Sequence, residues 1–382
     1  MLGVSRKTGV FALLLGACLT GCGGGPVRTF HTGNDTRQLS DAESRRWHAA
    51  HQLDDIWRKK GLVYDEPALT AYVQDIADRL YPEFKGTVKV RLVDSPELNA
   101  FALPNGSVYL NIGLVARMRN EAQLATVIGH EISHFTRQHS LKQHNAADSA
   151  VFAGMAVTVL TGIPLSGELL VAGAMSGYSQ DMEREADKLG FERLARQGYD
   201  PNEAGKVFEI MREEVEALDI HQPFLYSSHP KLSERIASMQ TLAVQHADGP
   251  HLTYTERFMR HTQPLRAKVL DRYLALRKYQ ILILILENPT LRARYPDYAT
   301  FYLGEAYRQR GQNGDDKLAE YAYRQAMLLA PDYADSHRGL ALLLMKRGDK
   351  TQAMSQLHTY LAMAPDAPDR GYIKSYIAKL RE

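Results

Sequence analysis

Two hydrophobic rhythms run along this chain. Val88-Lys89-Val90-Arg91-Leu92-Val93 alternates, the period-two signature of a strand with one face covered. Residues 101–103 and 107–110 are two further short apolar runs, and Pro104-Asn105-Gly106 between them is a strong turn. Elsewhere the period is helical. Asn120-Glu121-Ala122-Gln123 opens a helix with Asn as N-cap and Gln three residues on. Its later course, through Ala125-Thr126-Val127-Ile128-Gly129 to Phe135, has the uncharged flanks of a buried helix. A second helix spans residues 181–196. Residues 146–177 are apolar and rich in small side chains, broken at Thr161-Gly162-Ile163-Pro164. They read as two short buried helices over the rest of the domain, or as a lid that dips into membrane. Neither half has the ~20 residues a span needs. The pattern predicts an α+β chain, mostly α, in which a small antiparallel sheet lies with its edge beside the helix that starts at Asn120, and an all-α domain follows.

The all-α part repeats. Ala319, Tyr323, Ala326 and Pro331 recur 34 residues later as Ala353, Leu357, Tyr360 and Pro365. Leu303-Gly304, Tyr307 and Gly311 correspond to Leu340-Ala341, Leu344 and Gly348, with about three extra residues in the first copy. That period and its small/large pattern are those of tetratricopeptide repeats, each a helix pair in which small residues let the partner helix approach. Two copies are clear, at 297–333 and 334–366, with a capping helix at 368–380 and a degenerate helix pair at 256–289. A plain helical bundle is the alternative. Two repeats are few for a solenoid, so they are expected to lean on that pair or on the preceding domain.

The chain has 382 residues, room for two domains. Its net charge of +2 gives no signal for a polyanion, so no nucleic-acid partner is expected. Arg6 and Lys7 precede the apolar residues 10–19, a stretch too short to span a bilayer permanently. Leu19-Thr20-Gly21-Cys22 matches a bacterial lipobox, and Leu15-Gly16-Ala17-Cys18 is a poorer match. Cys22 is therefore the expected lipidated first residue after a signal peptide at 1–21, with a flexible tether at 22–40. An ordinary signal peptide is the alternative. No Asp stands two places after Cys22, which by the enterobacterial sorting rule favours the outer membrane over the inner. The two cysteines are Cys18 and Cys22. A mature chain that keeps only a lipidated Cys22 has no intrachain disulfide, no cysteine ligand and no cysteine nucleophile.

The chemistry lies in His130-Glu131-Ile132-Ser133-His134. Residues four apart on a helix are about 40° apart in azimuth and about 6 Å along the axis. Both imidazoles then face one point and share one Zn²⁺, with Glu131 at the edge as general base. His139 and His144 are out of line with that pair and read as solvated. A third ligand is expected from Asp181-Met182-Glu183-Arg184-Glu185-Ala186-Asp187. Glu183 and Asp187 share a helical face and Glu185 points away. Glu183 is assigned to zinc, and Asp187 to the N–H of a ligand histidine, fixing its tautomer.

H-E-x-x-H followed by E-x-x-x-D resembles the gluzincin peptidases of the HtpX and CAAX-prenyl-protease type. Residues 99–109, with their strand and turn, and His229-Pro230-Lys231-Leu232-Ser233-Glu234-Arg235 resemble further motifs of that family, over roughly 45–245 in all. The resemblance implies a zincin-type metalloprotease domain at 41–248, ahead of a helical domain at 249–382, with one zinc ion per chain. It also implies Glu131 as base towards the attacking water, with His229 or Arg235 as a second donor to the carbonyl oxygen. An extended substrate would add to the sheet edge, a mode that suits unfolded chains.

Lipobox, peptidase motifs and repeats together resemble the β-barrel assembly-enhancing branch. That implies an outer-membrane location, misfolded or stalled envelope proteins as substrates, and the barrel assembly machinery as partner. This chain departs from that branch in its lipobox and its few repeats. A competing class is a chaperone or docking scaffold with little proteolysis. Periplasmic members can also use the H-P histidine as a resting-state zinc ligand, while the plainer role for His229 is to cap the turn before Pro230. If His229 is such a latch, His229→Ala should raise the rate of casein cleavage; unchanged or lost cleavage would argue for the turn.

Overall fold

A computed structural model describes residues 27–142, 178–218, 232–246 and 248–381 of the chain. Cys22, His144, His229 and the apolar stretch 146–177 lie outside the described residues. Helix α1 (Asp41–Lys59) starts at a capping box, with Ser40 and Glu43 each accepting the other's backbone N–H. Helix α2 (Pro67–Leu80) begins at a proline and buries Leu69, Val73, Ile76 and Leu80, one helical face.

Three strands follow: β1 (Lys89–Val93), β2 (Ala100–Ala102) and β3 (Ser107–Asn111), in the order β1-β3-β2. β2 and β3 form the antiparallel hairpin expected around Pro104-Asn105-Gly106. Gly106 takes φ +84 there, and its N–H donates to the Leu103 carbonyl at 3.0 Å. β1, however, runs parallel to β3, with Val90 opposite Val108 and Leu92 opposite Leu110. The sheet is therefore mixed, which corrects the antiparallel expectation. All five residues of β3 are buried, so it takes the centre, while alternating β1 is left at an edge.

Helices α3 (Ile112–Arg117), α4 (Glu121–Thr136) and α5 (His139–Lys142) come next. Every residue of α4 is buried, and β2 lies against it. Its N-terminus is held reciprocally. Asn120 Oδ1 accepts the Gln123 N–H at 3.0 Å, and Gln123 Oε1 accepts the Arg119 N–H at 2.8 Å. Glu121, fully buried in the first turn, accepts from the Tyr72 and Tyr199 hydroxyls and from Arg79 and Arg257. Burial opposes its ionisation, but these four donors outweigh it and hold the carboxyl below its usual range. At the other end, Phe135 meets Phe84 and Phe30 edge-on, with ring centroids 5.8 and 5.6 Å away. Phe30 is buried and its N–H donates to the Thr136 carbonyl at 2.7 Å. The segment expected as the end of a flexible tether is thus laid on the domain, because one aromatic side chain finds a pocket there.

Helix α6 (Gln180–Arg196) crosses α4 at two glycines. A Cβ on Gly190 would stand 2.8 Å from the His130 backbone nitrogen, and one on Gly129 would be 3.3 Å from Gly190 Cα. Helices α7 (Asn202–Leu218) and α8 (Leu232–Gln245) then cover α4 and α6.

Eight further helices complete the described chain: α9 (Thr255–Ala275), α10 (Tyr279–Glu287), α11 (Pro289–Arg292), α12 (Ala299–Arg310), α13 (Asp315–Leu329), α14 (Asp335–Arg347), α15 (Lys350–Met363) and α16 (Arg370–Arg381). α12 pairs with α13 and α14 with α15. Tyr323 fills the space that Gly304 and Gly339 leave, where a Cβ would fall 2.7 and 2.4 Å from its ring. Buried Arg117 ties α3 to α7 and α9, donating to Glu214 at 2.7 Å and to the Tyr273 hydroxyl at 2.8 Å. Among the described residues no helix is long and apolar enough to cross a membrane.

Two substitutions test this frame. Arg117→Leu takes both close guanidinium hydrogen bonds from buried Glu214, leaving it only Arg294 at 3.6 Å, and should cost about 3 kcal/mol in urea unfolding; a loss under about 1 kcal/mol contradicts the account. Gly190→Ala sets a methyl against helix backbone and should cost about 1–3 kcal/mol. An unchanged unfolding midpoint would show that α4 and α6 are not in backbone contact.

Candidate active site

The glycine crossing decides which side chains meet. His130 follows Gly129 on α4, and His134 is one turn further on. From α6, Asp187 and Glu183 lie one and two turns before Gly190. His130 Nε2 and His134 Nε2 are 3.0 Å apart. Glu183 Oε1 lies 3.3 Å from His134 Nε2, and its Oε2 lies 3.6 Å from His130 Nε2. All three side chains are buried. Tetrahedral zinc with bonds of about 2.0–2.1 Å sets its donors ~3.3 Å apart. Two imidazoles and one carboxylate at these separations fit Zn²⁺ in both chemistry and spacing. Glu131 is 2% exposed beside them.

Asp187 lies behind His130, its Oδ1 2.8 Å from Nδ1. A carboxylate can only accept, so the His130 proton sits on Nδ1 and Nε2 keeps its lone pair. Arg235, on α8, donates through Nε to Asp187 Oδ2 at 3.0 Å and through Nη2 to Oδ1 at 2.6 Å. Burial would raise the Asp187 carboxyl, but Arg235 and His130 outweigh it and bring it down to about 2. The guanidinium also stands 3.5 Å from Glu183 and 4.0 Å above the Phe208 ring. Arg235 Nη2 also lies 3.1 Å from His130 Nδ1 and 3.3 Å from its Nε2, beside both ring nitrogens. The sequence offered Arg235 as a donor to the reacting carbonyl. The structure pairs it with Asp187 and also brings its Nη2 to 3.3 Å from His130 Nε2, so the guanidinium borders the metal side of the site.

His139 differs most from expectation. It is fully buried, not solvated, with its Nδ1 2.8 Å from His134 Nδ1. Its Nε2 lies 3.1 Å from Glu185 Oε2, and Arg137 Nε holds Glu185 Oε1 at 3.0 Å. Burial, the largest influence, holds the His139 imidazole below its usual value, so the ring is neutral near pH 7. The helical wheel misplaces His139 because α4 ends at Thr136 and Gln138 takes φ +53, which turns the chain back before α5. Tyr178 stacks on His134, with centroids 3.9 Å apart. The ring of His139 and the glycines at 129 and 190 are the functional positions that sequence periodicity passes over.

Comparison with known proteins places this geometry. Residues 65–243 match the family described as Peptidase family M48. The beta-barrel assembly-enhancing protease of Escherichia coli (strain K12) is 29% identical over 198 residues, covering 48% of this chain and 40% of its own length. The protein of that name from Yersinia pestis is 27% identical over 204 residues, covering 50% and 42%. Mitochondrial metalloendopeptidase OMA1 from Bos taurus is 29% identical over 223 residues, covering 55% and 42%. The chain spans less than half the length of each of these relatives. His130, Glu131, His134, Glu183, Asp187 and Arg235 all fall inside the segment, residues 65–243, that is similar to Peptidase family M48.

Proposed function

We propose that the chain is a zinc-dependent metalloendopeptidase of the bacterial cell envelope, acting on misfolded or stalled envelope proteins. The observation that carries this reading is the convergence of His130 Nε2, His134 Nε2 and Glu183 beside Glu131. Zinc, when bound, lowers the pKa of water toward ~7 and polarises a peptide carbonyl. Glu131 takes the proton of the attacking water and returns it to the leaving amine. Asp187 keeps the His130 proton on Nδ1, and Arg235 offsets the charge of the two buried carboxylates, Glu183 and Asp187. β2, an edge strand lying against α4, is where an extended substrate backbone would pair.

The wider role rests on less. The relatives named for β-barrel assembly support outer-membrane protein quality control as the setting. We read α12–α13 and α14–α15 as two tetratricopeptide repeats that dock a partner such as the barrel assembly machinery, on the strength of their sequence period. The lipobox supports lipidation at Cys22 and an outer-membrane anchor.

The test is cleavage of casein and of an unfolded β-barrel protein by the zinc-loaded form beginning after Cys22. Glu131→Gln should keep its zinc and lose about 10²–10⁴-fold in kcat. A Glu131→Gln protein that cleaves as fast as the unaltered chain would overturn the assignment of Glu131. No cleavage by the unaltered, zinc-loaded chain would favour the scaffold.

A further inference from the structure

We infer that His139 and Glu185 form a relay that fixes His134 in the one tautomer able to hold a metal; both are positioning residues, and the inference rests on the metal reading above. The relay follows from what each atom can do. Glu185 Oε2 only accepts, so His139 Nε2, at 3.1 Å, carries the proton. With its proton directed to Glu185, the His139 ring offers Nδ1 as an acceptor, 2.8 Å from His134 Nδ1. His134 must be the donor in that pair, so its proton is on Nδ1. Its Nε2, the atom that faces His130 Nε2 and Glu183, is then unprotonated and turns a lone pair toward them. The opposite arrangement would aim an N–H at the other donors and close the site to a cation.

Helix α6 thereby serves both histidines. Asp187 orients His130 directly. Glu185 is two residues from Glu183, about 200° round the helix, and cannot share its face. His139 spans the gap. The left-handed turn at Gln138 brings its ring under His134, and Arg137 holds the far oxygen of Glu185 at 3.0 Å. The three carboxylates of Glu183-Arg184-Glu185-Ala186-Asp187 then have three separate tasks: one donates to the metal, one orients a ligand directly, and one orients the other ligand through an intermediary.

The experiment measures zinc affinity by competition with a chromophoric chelator, and the visible absorption of the Co²⁺-substituted protein, in the unaltered chain and in variants. His139→Phe keeps a ring but removes both nitrogens. It should weaken zinc binding about 10- to 100-fold and shift the Co²⁺ bands. His139→Asn returns an acceptor to the position of Nδ1 and should recover most of that loss. Glu185→Ala alters a residue whose side chain is 42% exposed, so it is compatible with folding. It should weaken zinc binding on its own, yet add nothing in the His139→Phe background. The relay is overturned if His139→Asn binds zinc as poorly as His139→Phe, which would mark a packing role. It is equally overturned if the Glu185→Ala and His139→Phe effects add. If His139→Phe does not fold, unchanged zinc affinity and unchanged Co²⁺ bands in Glu185→Ala overturn it. Zinc held equally by all forms overturns the relay alone, whereas an unaltered chain that holds no zinc overturns the metal reading with it.

Discussion

The site depends on two helices being allowed to touch. Side chains ordinarily hold packed helices 8–10 Å apart. Gly129 and Gly190 remove them at the one point where α4 and α6 cross, leaving backbone against backbone. Short carboxylate side chains on α6 then reach imidazoles on α4. The buried first turn of α4 is held by four donors on Glu121, and its last turn by Phe30 and Phe84 around Phe135. A helix fixed at both ends and approached at its middle gives donors whose separations are set by backbone, the condition for a preorganised metal site.

Charge is the second constraint. Glu183 and Asp187 are both buried, and two bare carboxylates in a low-dielectric interior are costly. Arg235 answers this by standing against both, with its flat face on Phe208. The same arrangement keeps Asp187 ionised, so it remains an acceptor for His130. Structure and chemistry are therefore coupled through α8, which contributes little to the core beyond Leu232, Ile236, Met239 and Ala243 but supplies the guanidinium that balances the site.

What could be read from the sequence follows what helical periodicity encodes. His130, His134, Glu183 and Asp187 lie on uninterrupted helices, where a spacing of four fixes a shared face, and the structure brings all four together. Asn120 announces the start of α4 by a local rule and caps it. Relations between elements are less visible. The alternation in residues 88–93 gives a strand but not its partner, so the parallel pairing of β1 with β3 was hidden. His139 was misread because a left-handed residue that is not glycine interrupts the helix before it. Gly129 and Gly190 look like weak points in their helices, and only the crossing gives them meaning. Phe30 shows how a single aromatic residue anchors a stretch whose composition suggests a linker.

The most direct test of the central claim is X-ray absorption at the zinc edge of the metal-loaded protein. The account predicts a first shell with two imidazole nitrogens and at least one carboxylate oxygen at about 2.0–2.2 Å. A shell with fewer than two imidazoles, or a protein that leaves zinc in solution, would contradict it.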